Sequence, residues 1–171
     1  MSAISANVAA ATPGSPNDVR PRLDDVDRAL LQILATDARI SNKDLAERVG
    51  IAASTCLARV RALRQRGVIR GFYADIDPWA LGHDIQAMIA IRLQPHARGA
   101  MSEVVAGLSR RPEVLDVYFL AGANDFLVHV ACADTDGLRR FVADHLNRNR
   151  AIAGTETSLI FEHARAAGRG H

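Results

Sequence analysis

The chain has little cysteine, no long apolar run and no strong overall charge. Only two of its 171 residues are cysteines, Cys56 and Cys132, and each lies in an apolar pattern far from the other. This pattern predicts two reduced thiols in a reducing compartment. No apolar run is long enough to span a membrane, and the N-terminus lacks the charged start and apolar core of a secretory signal. We therefore expect a cytoplasmic protein.

Signatures of metal binding and catalysis are also missing. None of the six histidines stands at metal-ligand spacing from a cysteine or an acidic residue. The sequence contains no phosphate-binding loop, nucleophile elbow or carboxylate pair of defined geometry. It therefore predicts no catalytic residue, no metal and no cofactor.

Charge is distributed unevenly, although the net charge is only +2. Residues 51–71 contain five arginines and no acid, whereas residues 84–163 contain eight arginines and ten acids. This asymmetry predicts an anionic partner for the first segment and a different role for the second.

A basic helix is predicted within residues 53–66. Cys56, Leu57, Val60 and Leu63 recur at three- and four-residue steps, which predicts that they share a core-facing side of the helix. Gly67 is expected to end the helix, because glycine readily adopts positive φ. A strand is expected from Val68 to Ala74. The alternative for such a helix, taken alone, is a solvated surface helix.

Two shorter helices are predicted before it. Asp24 is a suitable cap for the first helix, with Asp27 at its third position. Ser41 is a suitable cap for the second, and Gly50 is expected to end it. Two helices joined by a short turn containing glycine form the helix-turn-helix arrangement, with the strand as a wing or a connection. This arrangement, and the lack of acids, favour DNA binding.

The second half of the chain predicts a ferredoxin-like domain. Its pattern is strand-helix-strand-strand-helix-strand, from Ile85 to Phe161, with two helices covering one face of a four-stranded antiparallel sheet. Tyr118, Leu120 and Phe126 argue against a fully solvated second face, so a dimer through the sheet is expected. The predicted organisation is a disordered tail (1–21), a helix-turn-helix domain (22–74), a linker (75–83), a ferredoxin-like domain (84–163) and a tail (164–171).

Short spaced motifs occur in order through both halves of the chain. They are Leu23-Asp24-x-x-Asp27, Asp37-Ala38-Arg39-Ile40-Ser41, Leu45-Ala46-x-Arg48-Val49-Gly50, Cys56-Leu57-x-Arg59-Val60-x-x-Leu63, Gly67-Val68-Ile69-x-Gly71, Leu81-Gly82, Pro112-x-Val114, Gly122-x-x-Asp125 and Thr155-x-Thr157. Together these motifs resemble the Lrp/AsnC (feast/famine) family of transcriptional regulators. The resemblance implies an α+β protein with a winged helix-turn-helix domain and a ferredoxin-like, RAM/ACT-like domain that senses amino acids. It also implies homodimers that assemble into tetramers or octamers.

One departure concerns the start of the basic helix. Family members commonly have serine there, often followed by proline, whereas this chain has Ala52 and Ala53. A lost cap costs about 1 kcal/mol. Ser54 is an alternative cap, which would start the helix later.

The DNA contacts are predicted on the basic helix. Ser54 and Thr55 suit base edges or the adjacent phosphate, and Arg59 is the candidate for a bidentate contact to guanine. Arg61, Arg64 and Arg70 are expected to bind phosphates, with solvated charge as the alternative for Arg64 and Arg66. A two-fold dimer predicts a pseudo-palindromic operator in double-stranded DNA, with half-sites about 34 Å apart.

An effector site is predicted at the turn Gly122-Ala-Asn124-Asp125. Backbone N–H groups around Gly122 could bind an α-carboxylate, and Asp125 or a nearby carbonyl could meet the ammonium group. The alternative is a simple turn, for which these residues are well suited. The resemblance implies that Thr155 and Thr157 complete the pocket across a dimer–dimer interface.

Two other functions remain open at this point. Some tetrapyrrole decarboxylases resemble the same two-domain architecture and have cationic and histidine residues in the sheet cleft, although the basic helix argues against an enzyme. A nucleoid-compacting protein with little sequence preference is the second alternative. The leading hypothesis is a nucleoid-associated, ligand-responsive, sequence-specific regulator.

Overall fold

The computed structural model describes residues 22–163. These residues form two compact units, which we call the helical unit (22–76) and the sheet unit (77–163) and describe separately. The division falls inside the predicted linker, residues 75–83. The two predicted tails, 1–21 and 164–171, lie outside the described residues.

The helical unit contains three helices whose ends follow the predicted caps. The Asp24 side chain accepts a hydrogen bond from the Asp27 N–H, and the Ser41 side chain accepts one from the Asp44 N–H. Gly50 ends the second helix with a φ of 73°, in the left-handed region that favours glycine. The helices are α1 (Asp25–Thr36), α2 (Asn42–Val49) and α3 (Ala53–Gln65).

The core of the helical unit joins one face of each helix. Leu30 of α1, Leu45 and Ala46 of α2, and Cys56 of α3 are buried together. Burying these apolar groups is the main favourable contribution to folding of so small a unit. Packing thereby fixes α3 against the other two helices and leaves its opposite face to solvent.

The predicted strand Val68–Ala74 does not form in the described chain. The N–H groups of Val68 and Ile69 donate to the Leu63 carbonyl at 2.9 and 3.2 Å. Gly67, with a φ of 70°, makes this reversal possible. These N–H groups therefore close the end of α3, where the sequence pattern predicted the start of a strand.

The sheet unit has the predicted order of strands and helices. The elements are β1 (Ile85–Leu93), α4 (Met101–Leu108), β2 (Val114–Phe119), β3 (Phe126–Cys132), α5 (Thr135–Phe141) and β4 (Ile152–Ile160). A π-helical turn, Val142–Asn147, continues α5. All neighbouring strands are antiparallel, and the order across the sheet is β2-β3-β1-β4.

One face of the sheet packs under the helices. Ala87, Ile89 and Ile91 of β1 are fully buried there, as the alternating sequence pattern predicts. Phe126 is also fully buried in this core. Its assignment to the open face was therefore wrong, because Phe126 pairs with Ile91 in the register and so lies on the same face. Tyr118 and Leu120 are exposed.

The described residues contain neither a long apolar helix nor a cluster of metal-ligating groups. Within 22–163, no helix has the length and hydropathy needed to cross a membrane. No group of three or more His, Cys, Asp or Glu side chains in this range could hold a metal ion. Burial raises the pKa of the Cys56 and Cys132 thiols, which makes them poor nucleophiles at neutral pH.

Candidate nucleic-acid interface and small-ligand site

The start of α3 presents backbone N–H groups without a side-chain cap. Ala52 occupies the cap position and makes no side-chain hydrogen bond. Ser54 is the second residue of the helix, so it does not serve as the alternative cap, and it is exposed. The Asn42 amide donates to the Ala53 carbonyl at 2.9 Å and ties α2 to this end of α3. The start of α3 therefore suits an anion, because the positive end of the helix dipole and the uncapped backbone N–H groups lie there.

The outer face of α3 lies opposite its buried residues. We use this name for Ser54, Leu57, Ala58, Arg61 and Gln65, which follow one another at three- and four-residue steps and are all exposed. No acidic residue occurs from residue 48 to residue 74. Arg61 forms no ion pair with any residue of the described range. Its charge is therefore available to a ligand.

Arg59, the predicted guanine contact, is bound to its own chain instead. Its Nη1 atom lies 2.6 Å from Oδ2 of Asp24 and 2.9 Å from Oδ1 of Asp27. This geometry disfavours the predicted role, because the Nη1 group of Arg59 already donates to two carboxylates of its own chain. The side-chain hydrogen bonds to Asp24 and Asp27 raise the pKa of Arg59.

Asp27 is the centre of this cluster and the only polar side chain in the buried set of residues 22–163. Besides Arg59, it faces Arg66, whose Nη1 atom is 3.9 Å from its Oδ2 atom. Arg66 also donates to the Arg22 carbonyl at 2.7 Å. We call Asp24, Asp27, Arg59 and Arg66 the inner cluster. It joins the start of α1 to the flank of α3.

Sequence reasoning missed the inner cluster, although one signal was present. Asp27 precedes Leu30 by three residues and Leu34 by seven, so it lies on the apolar side of α1. A carboxylate on a core-facing side requires a cationic or hydrogen-bonding partner. Its partner, Arg59, is 32 residues further along the chain and could not be identified by spacing.

The other predicted phosphate contacts lie near the end of α3. Arg64 is exposed, and its guanidinium carbon lies 6.0 Å from the centre of the Phe72 ring, at the limit of a cation–π contact. Arg70 is exposed beyond the helix. Thr55 is also exposed, at the front of α3. These side chains are accessible, and neither Arg64 nor Arg70 forms an ion pair within residues 22–163.

Asp125 connects the turn after β2 to the end of β1. Its Oδ2 atom accepts the Leu93 N–H at 2.7 Å, and its Oδ1 atom lies 3.4 Å from Nε of Arg98. Its backbone N–H donates to the Ile91 carbonyl at 2.9 Å. The Arg98 side chain is 62% exposed, whereas that of Asp125 is 13% exposed. Asp125 therefore has a structural role, and only its contact with Arg98 is open to exchange.

The remaining predicted effector residues lie around this turn and on the edge strand. Gly122 has a φ of 155° and is exposed, and Asn124 is half-buried. Neither backbone N–H donates to another described residue. Thr155 pairs with Ile91 and Thr157 with Ile89, so both threonines lie on the helix-covered side of the sheet. Within one chain, Thr155 therefore pairs with Ile91 on one side of β1, and the Asp125 N–H donates to the Ile91 carbonyl on the other side.

The open face of the sheet combines apolar and polar groups. The His129 Nε2 atom lies 3.1 Å from Oε1 of Gln86, and its Nδ1 atom lies 3.7 Å from Oδ2 of Asp116. Burial, followed by the charge of Asp116, raises the pKa of Tyr118. Tyr118 and Leu120 are nevertheless 44% and 40% exposed. This face of the sheet therefore carries exposed apolar residues beside an ordered polar group.

Two protein-family models match the chain, one on each side of the boundary between the helical unit and the sheet unit. Residues 23–70 match the model of a winged helix-turn-helix DNA-binding domain. Residues 86–168 match the model of the Lrp/AsnC ligand-binding domain.

Full-length relatives show the same similarity. The HTH-type transcriptional regulator AldR of Mycolicibacterium smegmatis is 59% identical over 157 residues, which cover 91% of this chain and 92% of AldR. The crystal structure of MtbAldR superimposes with a TM-score of 0.75 at 51% identity, covering 85% of this chain and 99% of that one. A transcriptional regulator of Neisseria meningitidis, solved as its L-Met complex, has a TM-score of 0.76 at 28% identity, covering 85% and 94%.

Proposed function

The chain belongs to the Lrp/AsnC family of transcriptional regulators, and we propose that it binds specific DNA sites under the control of an amino acid. Its relatives are transcriptional regulators and not enzymes, which sets aside the tetrapyrrole decarboxylase alternative. The observation that supports the proposal best is the outer face of α3, which is exposed, cationic and free of acids.

The proposed DNA contacts follow from which side chains of α3 are free. The front of α3 enters the major groove, where Ser54 and Thr55 bind a base edge or the adjacent phosphate. Arg61 replaces Arg59 as the side chain that reads guanine, since Arg61 is unpaired within the described residues. Arg64 and Arg70 bind phosphates and set the register of the complex.

A second copy is proposed to cover the open face of the sheet. Tyr118 and Leu120 supply exposed apolar area there, and the Gln86–His129–Asp116 contacts order the polar part. Such a dimer presents two α3 helices and therefore selects a pseudo-palindromic operator with half-sites about one turn of DNA apart. Dimers then assemble further, into tetramers or octamers.

The effector is proposed to be an amino acid bound beside Asp125. The unbonded N–H groups of Gly122 and Asn124 bind its carboxylate, as a small backbone nest does. Its ammonium group displaces Arg98 from Oδ1 of Asp125, because that contact is long and Arg98 is largely exposed. Thr155 and Thr157 of a neighbouring copy complete the pocket. Similarity to a regulator solved with L-Met supports this class of ligand.

The proposal is tested by selecting random DNA duplexes with the full-length protein and footprinting genomic fragments that contain the selected sequence. We expect a short two-fold motif and discrete protected sites. Continuous protection without a motif would instead support the compaction alternative. Each of the twenty amino acids is then screened by thermal shift, since a ligand that binds only the folded state raises its stability by mass action. A hit should also change DNA affinity or oligomer size.

A further inference from the structure

Leu57 is an exposed leucine on the outer face of α3. The residue is 40% exposed. The other exposed large apolar residues of the helical unit, Phe72, Tyr73 and Ile76, lie beyond α3, so Leu57 is the one that stands on a helix of residues 22–76. The sequence pattern predicted that it would join Cys56, Val60 and Leu63 in the core, but it takes no part in the buried cluster of the helical unit. Packing within its own unit therefore does not explain a leucine at this position.

Apart from Val60, which is half-buried and packs against the core, its neighbours on the helix are polar or small. Ser54 precedes Leu57 by three residues and Arg61 follows it by four, so these side chains lie next to Leu57 on the surface. Ala58 is too small to cover it. Leu57 is thus a single apolar group between a hydroxyl and a guanidinium, which is too small an apolar area for docking another protein.

We propose that Leu57 contacts the 5-methyl group of a thymine in the major groove and makes the protein specific for that base. This inference rests on the proposed DNA-binding function. Thymine is the base that presents an apolar group in this groove, and leucine offers the matching surface, beside the hydrogen-bonding groups of Ser54 and Arg61. The contact would also remove Leu57 from water when α3 binds.

The experiment removes the methyl group without changing any hydrogen bond. The half-site found by selection is prepared with each thymine replaced in turn by deoxyuridine, and binding is measured with the full-length protein. At one position we expect a loss of affinity of about fourfold for the wild type, the effect of burying one methyl-sized group. Leu57→Ala should bind the thymine and deoxyuridine duplexes equally, whereas Leu57→Met should keep a preference for thymine.

The outcomes distinguish failure of the proposed DNA-binding function from failure of the Leu57 contact alone. If no sequence is selected, both the proposed function and the Leu57 contact fail. If a half-site is selected but lacks thymine, or if no deoxyuridine substitution weakens the wild type, only the Leu57 contact fails. It also fails if Leu57→Ala and Leu57→Gln retain the wild-type preference for thymine. Thermal unfolding of each variant serves as the folding control, and unchanged unfolding is expected because Leu57 lies at the surface.

Discussion

The two sides of α3 use arginine in opposite ways. On the flank that faces α1, Arg59 and Arg66 belong to the inner cluster and neutralise Asp24 and Asp27. On the outer face, Arg61 lies among exposed residues and meets no carboxylate of the described chain. The comparison shows that arginines closely spaced on one helix need not share a role, because position around the helix decides which of them meets an internal partner.

This difference also limits where DNA can approach. Asp24, Asp25 and Asp27 place three carboxylates at the start of α1, next to the flank that holds Arg59. A phosphate approaching from that side would meet negative charge as well as arginine. The outer face, which has no acid near it in sequence, is therefore the side of α3 that suits a polyanion.

The largest expected effect is the loss of the inner cluster in Arg59→Ala. The variant leaves Asp27 buried and only weakly contacted by Arg66, at 3.9 Å. Leaving a buried charged group without its partner costs about 2 kcal/mol or more. For a unit of this size that lowers the melting temperature by roughly 10 °C, measurable by circular dichroism or calorimetry.

DNA binding by the same variant provides the control for its role. Below its melting temperature, Arg59→Ala should lose affinity for the selected operator and for random DNA to a similar extent, because the placement of α3 changes. A stable variant that lost only operator binding would restore Arg59 as the guanine contact and contradict our assignment.

The next largest effect is expected for Arg61→Ala on the opposite side. Losing a bidentate contact to guanine should weaken operator binding by about 1–3 kcal/mol, or roughly 5- to 150-fold, and relax the preference at one base pair. Binding to random DNA should fall much less, and the melting temperature should not change. Competition binding with operators altered at that base pair measures the effect. An equal loss on operator and random DNA would make Arg61 a phosphate contact.

These assignments show what the sequence could and could not predict. Local signals placed the caps at Asp24 and Ser41 and the order of strands and helices in the sheet unit, because capping and hydrophobic periodicity act over a few residues. The partner of Arg59 depends on two helices packing together, so no local pattern contains it. The strand predicted after Gly67 failed for a local reason instead, since the Leu63 carbonyl at the end of α3 accepts the N–H groups of Val68 and Ile69.

The sheet unit contains a cluster that can be compared with the inner one. Asp125, like Asp27, is a largely buried carboxylate that joins two segments, yet one of its partners, Arg98, is mostly exposed. Asp27 is held by Arg59, whose side chain is 34% exposed, whereas Asp125 is held by Arg98, which is 62% exposed and can be exchanged for a ligand. This is why Asp125 remains in the proposed site after its structural role is recognised.

Arg98→Ala should separate the two roles of Asp125. The variant keeps the hydrogen bond from the Leu93 N–H and removes only the competitor of the ligand's ammonium group. An exposed pair is worth about 0.2–1 kcal/mol, so affinity for the amino acid found by screening should rise by up to about fivefold in calorimetric titration. Asp125→Ala, as the matched variant, should abolish the response. Weaker binding by Arg98→Ala would mean that Arg98 itself contacts the ligand.

The smallest effect concerns the exposed member of the inner cluster and its dependence on pH. The hydrogen bond from the Asp27 N–H and the contact with Arg59 lower the pKa of Asp24 in the folded state. A lowered folded pKa stabilises the protein above the ordinary aspartate pKa of about 4, and this contribution is lost as the pH falls through the folded value.

Asp24→Asn tests this contribution, because asparagine keeps the cap but not the charge. At neutral pH the variant should melt slightly below the wild type, by a few degrees at most, since the pair with Arg59 is exposed to solvent. The difference should shrink as the pH is lowered below about 4, where the wild-type carboxylate also loses its charge. A difference that stayed constant down to strongly acidic pH would mean that Asp24 acts through its cap alone. The stability of the inner cluster would then depend on Asp27, and Arg59 would need only that one carboxylate to remain bound to its own chain.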